Sequence, residues 1–313
     1  MMEAIRVNSL KAWILAARPK TLTGAAVPVM MGLSLAWVDT RLTGIDFNGI
    51  AAALCLLFAF IMQIDANFIN DYFDFKKGTD DETRLGPRRA CAQGWVTTAA
   101  MRRAIGMTTA LACLTGLPLV AFGGLEMVVV GLLCVVFCFL YTTHLSYLGL
   151  GDLLVLVFFG LVPVCCTYFL QTHTVTKEVV ESSLACGMVI DTLLIVNNYR
   201  DRDTDRAAGK RTLVIRIGER ASEILFFALG LLAFLMGLVF FFTGRYFTFF
   251  LPVVYLMLHA RTYRKMKRIK HGKALNLILG ENARNMFIYG ILFSLGVLID
   301  FYLREPDGEA GNG

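Results

Sequence analysis

A chain of 313 residues that is 57% hydrophobic and 17% charged, with a mean hydropathy of +0.62, is too apolar for an ordinary soluble domain; such domains run at about 45–50% apolar and about 25% charged residues. The formal charge of +6 is modest and gathered in a few segments, which argues against a nucleic-acid partner with its basic stripe on a soluble fold. The first twenty residues mix Glu3, Arg6, Lys11, Arg18 and Lys20 into a weakly amphipathic stretch, without the apolar core and cleavage site of a signal peptide.

A hydrocarbon layer about 30 Å thick needs about 20 apolar residues in helix. Blocks of that kind predict spans near 21–38, 50–70, 103–122, 125–143, 150–170, 183–199, 222–242, 246–260 and 284–302. The block at 246–260 is short, and 21–38 is rich in small residues. Gly123-Gly124 and Thr243-Gly244-Arg245 mark tight helical hairpins. The expected fold is therefore all-α, a single membrane domain over 1–313, with about nine transmembrane helices around a central cavity.

The positive-inside rule orients these spans. With the N-terminus cytoplasmic, the basic segments 71–102, 200–221 and 261–283 all fall on the inner side. The opposite loops hold Arg41, Lys177 and Arg245, with Arg304 in the C-terminal tail on that outer side. A multi-pass protein of a cell (inner) membrane is expected. The cluster 261–273 reads as topology plus attraction to anionic membrane lipid. Of the eight cysteines, all but Cys91 lie in apolar segments and none forms a CxxC pair. Cys134 and Cys138 are one helical turn apart, but the reading favoured is small buried hydrophobes.

Two acidic segments open the inside loops 71–102 and 200–221. The first runs Asn67-Phe-Ile-Asn70-Asp71-Tyr72-Phe73-Asp74 and on through Lys77 and Gly78 to Asp80 and Asp81. The second runs Asn197-Asn198-Tyr199-Arg200-Asp201-Arg202-Asp203-Thr204-Asp205, leading to Lys210 and Arg211. Asn67, Asn70 or Asp71, and Asp74 share one helix face, as do Asp201 and Asp205. Carboxylates so grouped repel unless a cation lies between them. Hard oxygen donors suit Mg²⁺, which binds through one or two carboxylates together with substrate phosphates. A solvated mixed-charge loop would explain one such cluster; twin clusters on the same membrane side favour a site. A transporter would instead carry acids in mid-span, where only Asp65 and Asp191 lie, and broken midplane helices.

These segments resemble the UbiA superfamily of intramembrane aromatic prenyltransferases, and within it the branch acting on 1,4-dihydroxy-2-naphthoate. The resemblance runs over nearly the whole chain, from Ala17-Arg18-Pro19-Lys20-Thr21-Leu22, through Asn70-Asp71-Tyr72-x-Asp74-x-x-Lys77-Gly78-x-Asp80, Arg84-Leu85-Gly86-Pro87-x-Arg89 and Tyr147-x-Gly149-Leu150-Gly151-Asp152, to Asn197-Asn198-x-Arg200-Asp201-x-Asp203-x-Asp205 and Gly209-Lys210-Arg211-Thr212. The family's first signature, Asn-xxx-Asp-xxx-Asp, is met by Asn70 and Asp74, but its third place falls on Gly78. Asp80 is offered instead, as in the naphthoate branch. Asp201 and Asp205 meet the second signature, Asp-xxx-Asp. Asp152 stands where that branch usually has Glu, and Ala90-Cys91 where it commonly has Gly.

The resemblance implies transfer of a polyprenyl group from polyprenyl diphosphate to 1,4-dihydroxy-2-naphthoate, with loss of CO₂ and diphosphate. It implies Asn70, Asp74, Asp201 and Asp205 as catalytic residues, and Asn70, Asp71, Asp74, Asp80, Asp201, Asp203 and Asp205 as the Mg²⁺ set. Lys77, Arg89, Lys210 and Arg211 are the expected diphosphate partners. Arg18, Lys20, Tyr72, Tyr141, Asp152 and Tyr199 are the candidates for the acceptor. A sister enzyme using 4-hydroxybenzoate or homogentisate is the alternative, against which the Lys77–Asp80 departure speaks.

Overall fold

The computed structural model describes residues 5–78 and 84–304, and every regular element among them is helical. Expected ligand Asp80, with Asp81, lies outside the described residues. The helices are α1 (Leu10–Ala17), α2 (Leu22–Thr43), α3 (Gly49–Lys76), α4 (Thr98–Gly123), α5 (Glu126–Leu145), α6 (Gly151–Thr172), α7 (Lys177–Ala207), α8 (Glu219–Phe242), α9 (Val253–Ile269) and α10 (Leu275–Tyr302). Eight described helical segments are long and apolar enough to cross a membrane. The segment expected at 246–260 differs: a turn at Leu251-Pro252 divides it into Tyr246–Phe250 and α9. The proline has no N–H to continue the first piece. Both pieces pack along α10, completing the bundle.

Helix starts follow side-chain chemistry. Asn48 Oδ1 accepts from Ala51 N (3.0 Å) to open α3, and Thr97 and Thr176 cap α4 and α7 in the same way. Burial then ranks the helices. Helix α7 is mostly buried, whereas α5 is almost entirely at the bundle surface. The central helices α2, α7 and α10 form the main core, where Met31, Leu35, Val189, Met286 and Phe293 pack. Helices α4 and α5 present Leu111, Leu114, Val129 and Leu132 outward, as lipid-facing surfaces do. Helix α6 comes close to α7 at two glycines: a Cβ on Gly160 would meet Ser183 O at 2.5 Å and Gly187 Cα at 2.8 Å.

The acidic segments lie in helix rather than loop. Helix α3 continues through Asp74 to Lys76, and α7 through Asp205 to Ala207. Their last turns, the loop 84–97, the turn 146–150, the single helical turn Leu213–Ile217 and the 270–274 connection all gather at one end of the bundle. Contacts between them hold that end together: Lys77 Nζ donates to Thr143 O (2.7 Å), Arg211 N to Tyr147 O (3.1 Å), and Asn276 Nδ2 to Leu85 O (2.8 Å).

Candidate active site

Beneath this polar end lies a cavity of about 1450 Å³. Its deep walls are apolar, from Phe58, Phe137, Phe158, Phe159 and Leu170 among others. Its mouth is polar, with Arg18, Lys20, Asn70, Tyr141, Thr142 and Asn197. Two stretches with the wide π-helical turn, Tyr141–Leu145 and Leu156–Leu161, border it. Such turns insert a residue into the helical register and recur at functional sites; here they present Tyr141, Thr142, Phe158 and Phe159 to the cavity.

Asn70 and Asn197 face the mouth from α3 and α7, and each precedes by four residues an aspartate on the same face, Asp74 and Asp201. The Thr142 hydroxyl donates to Asn70 Oδ1 and fixes its amide. Asp74 pairs with Arg89 (3.3 Å), and Asp205 with Lys210 (3.1 Å). Burial alone would lower Lys210, but Asp205 and Asp74 outweigh it and hold the ammonium above its ordinary value. The two acidic motifs therefore meet across Lys210. Partial loss of water keeps Lys77 below its ordinary value, with Lys210 adding to that and Asp74 opposing. Lys77 and Lys210 also share one ring: their Nζ atoms lie 3.9 Å and 5.3 Å from the centroid of Tyr147. Arg211 is exposed, and its backbone closes the turn onto Tyr147.

Arg200 organises the second motif, which its position beside Asp201 only hints at. Its buried guanidinium reaches both oxygens of Asp201, Asn197 Oδ1 (2.7 Å) and Asn276 Oδ1 (2.8 Å). The loop after the first motif rests on it, since a Cβ on Gly86 would come within 2.7 Å of its Nη2. Asn276, on α10, carries no signal in the sequence.

Four expected site residues are placed elsewhere, and these are corrections. Asp71 is fully buried and accepts from Ala90 N (2.8 Å) and Cys91 N (2.9 Å), so it anchors the basic loop instead of facing the cavity. Asp203 points out of the bundle, its side chain 69% exposed near His271. The helical period explains both: a residue one or two places from a cavity-facing position turns away from it. Tyr72 is packed in the satellite core with Ala12, Ala16 and Phe68. Tyr199 is buried against α8 and donates to Glu219 and Glu223. Among the other acceptor candidates, Arg18, Lys20 and Tyr141 do line the cavity. Asp152 lies behind Tyr141 with Asp191 close by; both are buried, and Oδ1 of each has no hydrogen-bond partner among the described residues.

Fold and site together define a polytopic membrane protein with an apolar cavity under a polar mouth, next to which the two acidic motifs meet at Lys210. The model of the UbiA prenyltransferase family matches residues 25–291, and the chain belongs to that family. The 1,4-dihydroxy-2-naphthoate octaprenyltransferase of Haemophilus influenzae is 34% identical over 308 residues, covering 93% of this chain and 97% of that protein. The enzyme of the same name from Escherichia coli is 37% identical over 223 residues, 68% of this chain and 71% of its own. The apo UbiA homolog from Aeropyrum pernix shares the fold at a TM-score of 0.64 and 15% identity, over 87% of this chain and 97% of that one. The Archaeoglobus fulgidus homolog bound to GPP and Mg²⁺ does so at 0.62 and 14%, over 93% and 99%.

Proposed function

We propose that this protein transfers a polyprenyl group from polyprenyl diphosphate to 1,4-dihydroxy-2-naphthoate, with loss of CO₂ and release of diphosphate, to form demethylmenaquinone. The observation that carries this reading is the near end-to-end similarity to the Haemophilus influenzae enzyme, and the amphipathic cavity supports it. The long prenyl chain fits the apolar shaft, and the diphosphate the polar mouth. Lys77, Lys210 and Arg89 supply cations for the phosphate oxygens, with charge-assisted hydrogen bonds that strengthen as negative charge moves onto the leaving group.

No three Asp, Glu, His or Cys side chains converge among the described residues. That suits Mg²⁺ shared with the diphosphate better than an ion caged by protein. Asn70 and Asp74 on one side, with Asp201 and Asp205 on the other, are the oxygen donors that would hold it. When bound, it would neutralise the departing diphosphate. The apolar walls exclude water from the allylic cation, which prevents its hydrolysis. In this reading Tyr141, backed by the buried Asp152 and Asp191, would orient the acceptor's hydroxyls, and Arg18 and Lys20 would meet its carboxylate. The positive-inside rule puts the polar end, and so the site, on the cytoplasmic face of the inner membrane.

The test is a membrane-fraction assay with 1,4-dihydroxy-2-naphthoate, octaprenyl diphosphate and Mg²⁺. Demethylmenaquinone is expected, abolished by chelation and restored by Mg²⁺, and reduced at least about a hundredfold in Asp74→Ala and Asp201→Ala. Product from 4-hydroxybenzoate alone would reassign the acceptor. No turnover of any prenyl diphosphate by inserted protein would refute the enzyme reading.

A further inference from the structure

A second concavity, of about 670 Å³, lies between α9 and α10. One stripe from each helix lines it: Leu258, Arg261, Lys265 and Arg268 from α9, with Arg264 beside them, and Glu281, Arg284 and Ile288 from α10. Two hydrogen bonds set the antiparallel register, Asn285 Nδ2 to Thr262 Oγ1 (2.9 Å) and Lys265 Nζ to Glu281 Oε1 (2.6 Å). That register puts Leu258 level with Ile288 and Arg261 level with Arg284. The groove is thus graded along its length. Its inner end is apolar, and at a rise of 1.5 Å per residue Arg268 lies about 15 Å from Leu258 toward the polar end.

The charge in this groove is not balanced by protein. Glu281 is the acid in its lining and is already bonded to Lys265. Among the described residues Arg261, Arg264, Arg268 and Arg284 have no carboxylate within ion-pair distance. Cations placed only for topology would be free to spread round the helix, as Lys267 and Lys270 do. Arginines drawn together on the face that meets α10 repel one another unless an anion joins them. A guanidinium fork matches phosphate oxygens in pairs, and basic pockets between transmembrane helices take phospholipid headgroups. Arg284 also lines the large cavity, so the groove shares a wall with the proposed substrate site.

We propose that the α9–α10 groove binds the phosphate headgroup of an anionic membrane phospholipid, with its acyl chains lying toward Leu258 and Ile288. A free phosphate would leave the apolar end without an occupant, which is why a lipid is assigned. This holds whichever aromatic acceptor the enzyme uses.

The test is native mass spectrometry of the whole detergent-purified protein, titrated with phosphatidylglycerol and, separately, phosphatidylcholine. Three forms are compared: wild type, Arg261→Gln/Arg264→Gln/Arg268→Gln, and Lys267→Gln/Lys270→Gln/Lys273→Gln. The two variants remove equal charge from the same region. Wild type and the lysine variant are expected to prefer phosphatidylglycerol by about tenfold or more, and the arginine variant to lose that preference. Arg268→Gln alone, the gentler change, is expected to weaken it about threefold should the triple variant not fold. Equal losses in the lysine and arginine variants would make the attraction diffuse and overturn the site. Displacement of phosphatidylglycerol by inorganic diphosphate or farnesyl diphosphate at lower concentration would assign the groove to product or substrate, and overturn the lipid.

Discussion

Asp71 and Asp74 are three residues apart on one helix, yet the tertiary structure gives them different tasks. Asp71 holds two buried backbone N–H groups, and removing it leaves both without an acceptor, at about 1–3 kcal/mol each. Asp71→Ala is therefore expected to lower the thermal unfolding midpoint in detergent clearly, whereas Asp74→Ala acts on turnover. Asp203→Ala, on an exposed side chain, is expected to leave the unfolding midpoint unchanged and turnover within about twofold of wild type; a hundredfold loss of turnover would place Asp203 back among the ligands. Lys77 and Lys210 make a second residue-scale contrast. Lys77, held below its ordinary value, loses its charge first as pH rises, while Lys210, held above it, keeps its own. The alkaline fall of kcat/KM reports the free enzyme. In Lys77→Arg, whose guanidinium stays charged, that fall is expected to move to higher pH; an unchanged profile would remove Lys77 from the diphosphate site.

At the scale of the element, the helices end where the chemistry requires. Gly78 has φ of +70° and stops α3 two residues after Lys76, a conformation in which an aspartate would be strained. The third place of the family's first signature therefore cannot continue the helix face here, which accounts for the departure read at that position. The pairing of α6 with α7 depends on the close approach at Gly160 and Gly187, and Asp152 and Asp191 lie on those same two helices. Gly160→Ala is expected to cost about 1–3 kcal/mol through forced separation of the helices, and to lower acceptor affinity more than prenyl diphosphate affinity. A rise in KM for naphthoate with a lowered melting midpoint would bear this out; an unchanged midpoint would mean the helices part freely.

For the whole molecule, the polar segments converge on one end, as the charge distribution predicted for a protein threaded with its basic loops on one side. Lys177, at the start of α7, stands at the opposite end from Lys273. In a cysteine-free background, Lys273→Cys is expected to react with an impermeant maleimide only in inside-out vesicles, and Lys177→Cys only in right-side-out cells. Labelling of both from one side would refute the orientation. The amino-acid sequence by itself determined eight of the nine expected membrane spans, the acidic motifs and the family, because each is written in local hydropathy or in short spacing along one helix. It could not decide which residue of a motif faces the cavity once helices pack. Asp71, Tyr72, Tyr199 and Asp203 stand within two or three residues of cavity-facing positions and differ only in angle around the helix. Nor could it reveal Arg200 with Asn276, Thr142 with Asn70, or the arginine groove between α9 and α10. Those partners are distant in the chain or belong to different helices, and only the packed bundle, by fixing depth and rotation together, brings them into contact.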